Sequence, residues 1–186
     1  FILALIFIIP NAVLAYTSPG NPNGYVNDYA GVFSEEEKTS LEQKLVAFEA
    51  ASTNEISVVA IKNLDGDSIE NYAEKLFQEW GIGKEDKDNG VLLLVAIEDR
   101  KMRIEIGYGL EGSLTDLLSS RIIRETLTPA FRENNFYLGI DKALDQIIKI
   151  TYGEVPEDLQ QPENPIENFN PESFFNYVLF GFFILI

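Results

Sequence analysis

Apolar residues recur at helical spacing in four stretches of the chain. An apolar residue at every third or fourth position predicts helices at about 34–52, 68–80, 115–127 and 137–151. Ser34 and Glu37 have the spacing of a capping box, and Gly81 is the residue type that commonly ends a helix. Pro129 follows the third helix, where it either interrupts the helix or starts a new turn.

Three further stretches have the pattern of β-strands, at 54–61, 91–97 and 101–106. The stretch 91–97 is apolar at every position, so helices should cover both of its faces. The stretch 101–106 alternates polar with apolar residues and follows a charged turn, so these two strands should pair as an antiparallel hairpin. The order helix, strand, helix, strand, strand, helix, helix predicts an α/β fold, a three-layer α/β/α sandwich on a small mixed β-sheet.

Carboxylates are expected to gather at the far ends of this hairpin. Asp88 precedes its first strand, whereas Glu111 and Asp116 follow the glycine-rich loop after its second strand. Pairing of the strands brings all three to one end of the sheet. Carboxylates that lie close together repel one another unless a cation or water offsets their charge. Each also has a purely structural interpretation, because Asp88-Asn89-Gly90 suits a turn and Asp116 suits the first turn of a helix.

Two known motifs come close to this region without fitting it. Residues 107–112 have the spacing G-x-G-x-x-G of dinucleotide-binding loops. Glu111 would then face the pyrophosphate, and the loop follows the return strand of a hairpin instead of opening a βαβ unit. An EF-hand fails on register, because with Gly90 at the sixth loop position Ala96 stands where a bidentate Glu is required. Binding of a hard cation by carboxylates and backbone carbonyls of the loop stays open.

The two ends of the sequence differ in composition from its middle. Residues 1–15 contain an apolar run and then small residues at signal-peptidase spacing, which predicts a secretory signal; a short membrane anchor and a core helix are the alternatives. A spacer at 16–24 rich in Pro, Gly and Asn precedes the domain, at 25–153. An acidic, proline-containing tether follows at 154–172. The apolar stretch 173–186 should be the start of a transmembrane helix, with a tail packed on the domain as the alternative.

Charge and composition exclude several classes of function. The 186 residues include 30 acidic and 14 basic ones, for a net charge of −16, which argues against nucleic acid as a partner. The sequence contains neither Cys nor His. Disulfides, Ser-His-Asp triads and the usual zinc sites are therefore excluded. The chemistry that remains is that of carboxylates, hydroxyls and backbone carbonyls with hard cations.

Three stretches carry a resemblance to a known family. They are Val26-Asn27-Asp28-Tyr29-Ala30-Gly31-Val32, Asp88-Asn89-Gly90-Val91-Leu92-Leu93-Leu94, and the long stretch from Arg103 to Asp116. In these the chain resembles the TPM domain family, over about Tyr25 to Tyr152. The resemblance implies an α/β/α sandwich, an exported domain, a frequent C-terminal transmembrane helix and, in some members, calcium bound in an acidic cleft. Plant members, including a thylakoid-lumen acid phosphatase, are described as phosphatases, whereas other members act as accessory proteins of membrane complexes.

The resemblance also implies a metal site, whose ligands would be Asp28, Asp88, Glu111 and Asp116, with backbone oxygens near Asn89 and Gly90. The expected ion is Ca²⁺, with Mg²⁺ as the alternative. Arg103 would orient a carboxylate or meet an anion, unless it forms only a surface ion pair. One predicted function is a calcium-binding extracytoplasmic module that is anchored in membrane lipid and assists membrane or envelope proteins. The other is a metal-assisted phosphatase acting on phosphomonoesters, in which the cation polarises a phosphoryl oxygen.

Overall fold

Four strands form one mixed sheet. They are β1 (Val26–Asp28), β2 (Glu55–Ile61), β3 (Gly90–Ala96) and β4 (Lys101–Ile106), and they lie in the sheet in this order. β1, β2 and β3 are parallel, and β4 returns antiparallel to β3 as the predicted hairpin. Every residue of β3 is buried, which confirms the prediction that both of its faces are covered.

Helices lie on both faces of the sheet. They are α1 (Glu35–Ser52), α2 (Ile69–Trp80), α3 (Asp116–Arg121), α4 (Thr128–Arg132) and α5 (Phe136–Thr151). α2 packs on one face, in a cluster that includes Val59, Leu92 and Leu94. The alternate residues of β2 and β3 are buried as well, so helices also cover the other face. α1 and α5 pack together, and Lys44 of α1 forms ion pairs with Asp141 and Asp145 of α5 at 2.5 and 2.6 Å. The domain is thus the predicted α/β/α sandwich.

The computed structural model describes residues 16–160. The predicted signal at 1–15, the predicted transmembrane stretch at 173–186 and most of the predicted tether lie outside these residues. Between residues 16 and 160, no helix is long and apolar enough to cross a membrane. The chain divides between Val155 and Pro156, and the second unit begins with a 3₁₀ turn at Glu157–Leu159.

The predicted starts of the first two helices and the predicted end of the second are confirmed. Ser34 caps α1, its hydroxyl accepting from the Glu37 amide while the Glu37 carboxylate accepts from the Ser34 amide. The Ser68 hydroxyl caps α2 by accepting from the Asn71 amide. Gly81 ends α2 in the left-handed conformation, with φ 60°. Local polar contacts therefore determine where these helices begin and end.

Pro129 changes the form of the third predicted helix without ending it. The chain runs from α3 through a π-helical segment, Ile122–Leu127, directly into α4, where Pro129 occupies the first turn. Proline has no N–H and its ring crowds the carbonyl four residues earlier, so the preceding turn widens. The Thr128 amide and the Thr128 hydroxyl both donate to the Ile123 carbonyl, the latter at 2.8 Å.

The segment 16–24, predicted as a spacer, has neither helix nor strand, yet its first half lies against α2. The hydroxyls of Tyr16 and Ser18 donate to the two carboxylate oxygens of Glu79, at 2.7 and 2.5 Å. The Trp80 indole donates to the Gly20 carbonyl at 2.9 Å. These contacts fix the segment to the outer side of the domain.

Candidate functional site

The four predicted metal ligands lie at two different ends of the sheet. Asp28 pairs with Ala60, which pairs with Val95 near the carboxyl end of β3. Asp88 precedes Gly90, where β3 begins. The stretch from Gly90 to Val95 spans roughly 17 Å at about 3.3 Å per residue. β1 and β4 are also opposite edges of the sheet. The structure therefore does not bring Asp28 to the other three carboxylates, which corrects the expectation of one site formed by all four.

The carboxylate of Asp28 accepts hydrogen bonds from backbone amides of the loop that follows β1. Its Oδ1 accepts hydrogen bonds from the amides of Ala30 and Gly31, at 3.1 and 2.7 Å, and its Oδ2 accepts from the Phe33 amide at 2.8 Å. Three amide donors to one carboxylate hold the connection between β1 and α1 in a fixed shape. The position of Asp28 in the chain is thus explained by this connection.

Asp88 lies where the two glycine-containing loops touch. Its carbonyl accepts from the Gly109 amide at 3.0 Å, and its backbone is left-handed, with φ 48°. A Cβ added to Gly107 would lie 2.2 Å from the Asp88 carbonyl oxygen, and one added to Gly109 would lie 2.0 Å from that of Lys87. Close backbone packing therefore accounts for two of the three glycines in the 107–112 loop.

The side chain of Asn89, beside Asp88, has a structural role that the turn motif Asp88-Asn89-Gly90 did not predict. Its side chain is buried and donates to the Thr53 carbonyl at 2.7 Å, while its Oδ1 accepts from the Lys84 amide at 3.0 Å. Its own carbonyl accepts from the Glu55 amide, and the Gly90 carbonyl accepts from the Gly107 amide. The backbone oxygens that were expected as extra metal ligands thus take part in hydrogen bonds of the sheet and its ends.

A groove of about 520 Å³ brings Glu111 and Asp116 together along the edge strand β4. Both residues are exposed, and within residues 16–160 neither carboxylate has a hydrogen-bond or ion-pair partner. Thr115, on the same groove, caps α3 through its hydroxyl, and Asp116 is the first residue of that helix. The groove therefore contains two unpaired carboxylates, and the positive end of the helix stabilises the charge of Asp116.

Arg103 also lines this groove, but its charge is already balanced. Its Nε donates to the Glu105 Oε2 at 2.9 Å, as an ion pair within β4. This is the surface ion pair that was the expected alternative for Arg103. The two free carboxylates of the groove are consequently Glu111 and Asp116.

The groove is too open to enclose an ion by itself. Across the described part of the chain, no three acidic side chains lie close enough together to hold a metal ion. Ca²⁺ takes six to eight oxygen ligands, which include waters as well as carboxylates. A cation at Glu111 and Asp116 would thus keep much of its hydration. Asp88 lies on the neighbouring loop, outside the lining of the groove.

Comparison with known proteins identifies the fold. A family model described as the TPM domain matches residues 26–150. The N-terminal domain of a P. gingivalis protein, solved by NMR, is 33% identical with a TM-score of 0.65, over 69% of this chain and 82% of its own. Among curated proteins, none matches the chain.

Two further solved structures share the fold alone, at 19% identity. The N-terminal domain of the cg2496 protein from Corynebacterium glutamicum has a TM-score of 0.54, over 80% of this chain and 90% of its own. The BA42 protein from the psychrophilic bacterium Bizionia argentinensis has a TM-score of 0.57, over 70% of this chain and 90% of its own.

Proposed function

The chain belongs to the TPM domain family, and on that premise we propose that it is an exported, membrane-tethered module that binds Ca²⁺ and assists membrane or envelope proteins. The observation that carries this proposal is the groove beside β4. Its lining includes the unpaired carboxylates of Glu111 and Asp116, and the loop before them contacts the loop of Asp88 through the Gly109 amide. A hard cation is the ligand that oxygen groups of this kind prefer.

The tether and the membrane segment are supported by the sequence alone. The acidic, proline-containing stretch 154–172 precedes the apolar stretch 173–186, and an apolar run opens the chain. Together they favour a domain held outside the cytoplasmic membrane, with membrane lipid as its first partner. A module of this kind would act on neighbours in the same membrane.

Calcium binding is tested by thermal melts of residues 16–160 in EDTA and in millimolar Ca²⁺. The relatives were solved as isolated N-terminal domains, so this fragment is suited to the experiment. A ligand that binds only the folded state stabilises it by about 2.7 kcal/mol at a hundred times its Kd. We expect the melting temperature to rise with Ca²⁺, and we expect Glu111→Gln and Asp116→Asn each to abolish most of that rise. Asp88→Asn should reduce it, and Asn is tolerated at this left-handed position.

Asp86→Asn is the matched control, because Asp86 is an exposed carboxylate of the same loop as Asp88 that does not line the groove and is not one of the predicted ligands. It should keep the full response to Ca²⁺. A wild-type melting temperature that Ca²⁺ leaves unchanged would show that the groove takes no cation. If Asp86→Asn and Asp116→Asn reduced the Ca²⁺-induced rise in melting temperature equally, Ca²⁺ would be attracted only by the overall negative charge of the domain.

The same groove is where a metal-assisted phosphatase would act, so the melts are accompanied by a hydrolysis assay with a chromogenic phosphate ester. If the domain is a binding module, the wild type should hydrolyse the ester no faster than Asp116→Asn does. Turnover that requires Ca²⁺ or Mg²⁺ and disappears in Asp116→Asn would make the domain an enzyme.

A further inference from the structure

A second concave surface lies at the carboxyl end of β3, and it has the opposite character to the groove. This cavity of about 860 Å³ is formed by the turn between β3 and β4 and by the corner between α4 and α5. It shares no lining residue with the groove of Glu111 and Asp116. In open α/β sheets, the carboxyl ends of the parallel strands are where ligands commonly bind.

Three cations surround the mouth of the cavity, namely Arg100, Lys101 and Arg132. None of them forms an ion pair with a carboxylate of residues 16–160. The whole chain has only 14 basic residues and a net charge of −16. A cavity with three unpaired cations is therefore a local reversal of the charge of the protein.

The carboxylates of the adjacent turn are held by another loop. The Asn63 amide donates to the Glu98 Oε2 at 2.9 Å, and the backbone amide of Leu64 donates to the Asp99 Oδ2 at 2.7 Å. Glu98 also lines the cavity, so its rim carries three positive charges against one negative charge. Both turn carboxylates are thus hydrogen-bonded to the connection between β2 and α2, and neither forms an ion pair with Arg100.

The inner wall of the cavity is apolar and firmly packed. Met102 lines it from β4, and Phe131 and Phe136 line it from the α4–α5 corner, with their rings edge to face and their centroids 5.0 Å apart. The corner is tight, because a Cβ on Gly139 would lie 2.9 Å from the Ala130 Cβ. These contacts restrict the rings of Phe131 and Phe136, which lowers the ordering cost of binding.

We propose that this cavity binds a small organic oxyanion, with a carboxylate or phosphate group at the rim cations and an apolar body against Met102, Phe131 and Phe136. Its volume lies in the range of about 300–1,000 Å³ that is typical of small-molecule sites. Guanidinium groups donate two parallel hydrogen bonds to carboxylate and phosphate oxygens, which gives Arg100 and Arg132 the direct role. The site does not depend on calcium binding at the groove.

Isothermal titration of the 186-residue chain in non-ionic detergent tests the proposal with four probes. Phenyl phosphate and phenylacetate carry both the anion and the ring, inorganic phosphate carries only the anion, and benzyl alcohol carries only the ring. We expect at least one of the two aromatic anions to bind at least about tenfold more tightly than inorganic phosphate or benzyl alcohol. Comparison of phenyl phosphate with phenylacetate identifies which oxyanion the rim prefers.

Variants then locate the site. Arg132→Gln and Arg100→Gln should each weaken binding of the preferred aromatic anion about tenfold or more, because each removes a hydrogen bond between charged groups. Arg124→Gln is the control, because Arg124 is exposed, pairs with Glu125 and lies outside the cavity. No heat of binding with either aromatic anion, benzyl alcohol bound as tightly as the anions, or equal affinities in Arg132→Gln and Arg124→Gln would each overturn the proposal.

Discussion

Alanine substitutions should separate the three glycines of the 107–112 loop into two classes. At Gly107 and Gly109 the new Cβ would lie 2.2 and 2.0 Å from carbonyl oxygens of the neighbouring 84–89 loop. At Gly112 it would meet nothing within 4 Å, and the backbone there is not left-handed. The substitution is chemically the same in all three variants, so differences between them report the space around each glycine.

The expected magnitude follows from the atoms that must move. A backbone carbonyl cannot swing aside as a flexible side chain does, and forcing extra volume into a packed site costs about 1–3 kcal/mol. Each substitution also disturbs a backbone hydrogen bond that contributes about 0.5–1.5 kcal/mol, from the Gly109 amide to the Asp88 carbonyl or from the Gly107 amide to the Gly90 carbonyl. We therefore expect Gly107→Ala and Gly109→Ala to lose about 2–4 kcal/mol of unfolding free energy. Gly112→Ala should change it by about 0.5 kcal/mol or less, or stabilise slightly.

Urea and thermal denaturation of residues 16–160, followed by circular dichroism, measure these changes. At roughly 4 °C per kcal/mol for a domain of this size, the first two variants should melt about 8–16 °C below the wild type. Gly112→Ala should melt within about 2 °C of it. Three variants that melt together would refute the explanation of this loop by backbone packing, and the glycines would then need a different cause.

Two further predictions concern alkaline stability and topology. The hydrogen bond from the Tyr25 hydroxyl to the Glu49 Oε2, at 2.6 Å, and then burial raise the pKa of Tyr25 to about 12. The contribution of Tyr25 to stability is thus present below its unfolded pKa of 10 and is lost as the pH rises through about 12. Tyr25→Phe should therefore lose less stability than the wild type over that interval. Equal losses of stability in the two proteins, in a pH series of urea melts, would contradict this. Protease added to intact spheroplasts should remove the domain, because the apolar ends of the chain favour export, and a domain that stays protected until lysis would show that it is not outside the membrane.

The elements with a strong local signal could be predicted from the sequence, whereas β1, which lacks such a signal, could not. The apolar run of β3, the alternation in β4 and the caps at Ser34, Ser68 and Gly81 all have local causes. β1 has only three residues, too few to show a period of two, and it exists through its pairing with β2. The order of elements predicted from the sequence therefore lacked β1, the parallel strand at one edge of the sheet.

The missing strand also explains the misplaced ligand. The resemblance implied Asp28 as a ligand, and with β1 unrecognised nothing in the predicted order of elements separated it from the hairpin ends. Once β1 pairs parallel to β2, Asp28 must lie at the carboxyl end of the strands, whereas Asp88 precedes the amino end of β3. The cationic cavity could not be predicted from the sequence for a related reason. Arg100 and Arg132 belong to different parts of the chain, and only the packing of the α4–α5 corner against the hairpin turn brings both to one cavity.

Net charge alone is a poor guide to the ligands of this domain. A charge of −16 describes the long-range field, which attracts cations and repels anions. The ligand at a given surface is decided by the charges left unpaired there. Arg103 is neutralised by Glu105 within β4, so the groove beside it retains the carboxylates of Glu111 and Asp116. At the start of β4 the turn carboxylates are held by Asn63 and Leu64, so the cavity there keeps its cations. The same edge strand thereby borders one surface suited to a cation and another suited to an anion.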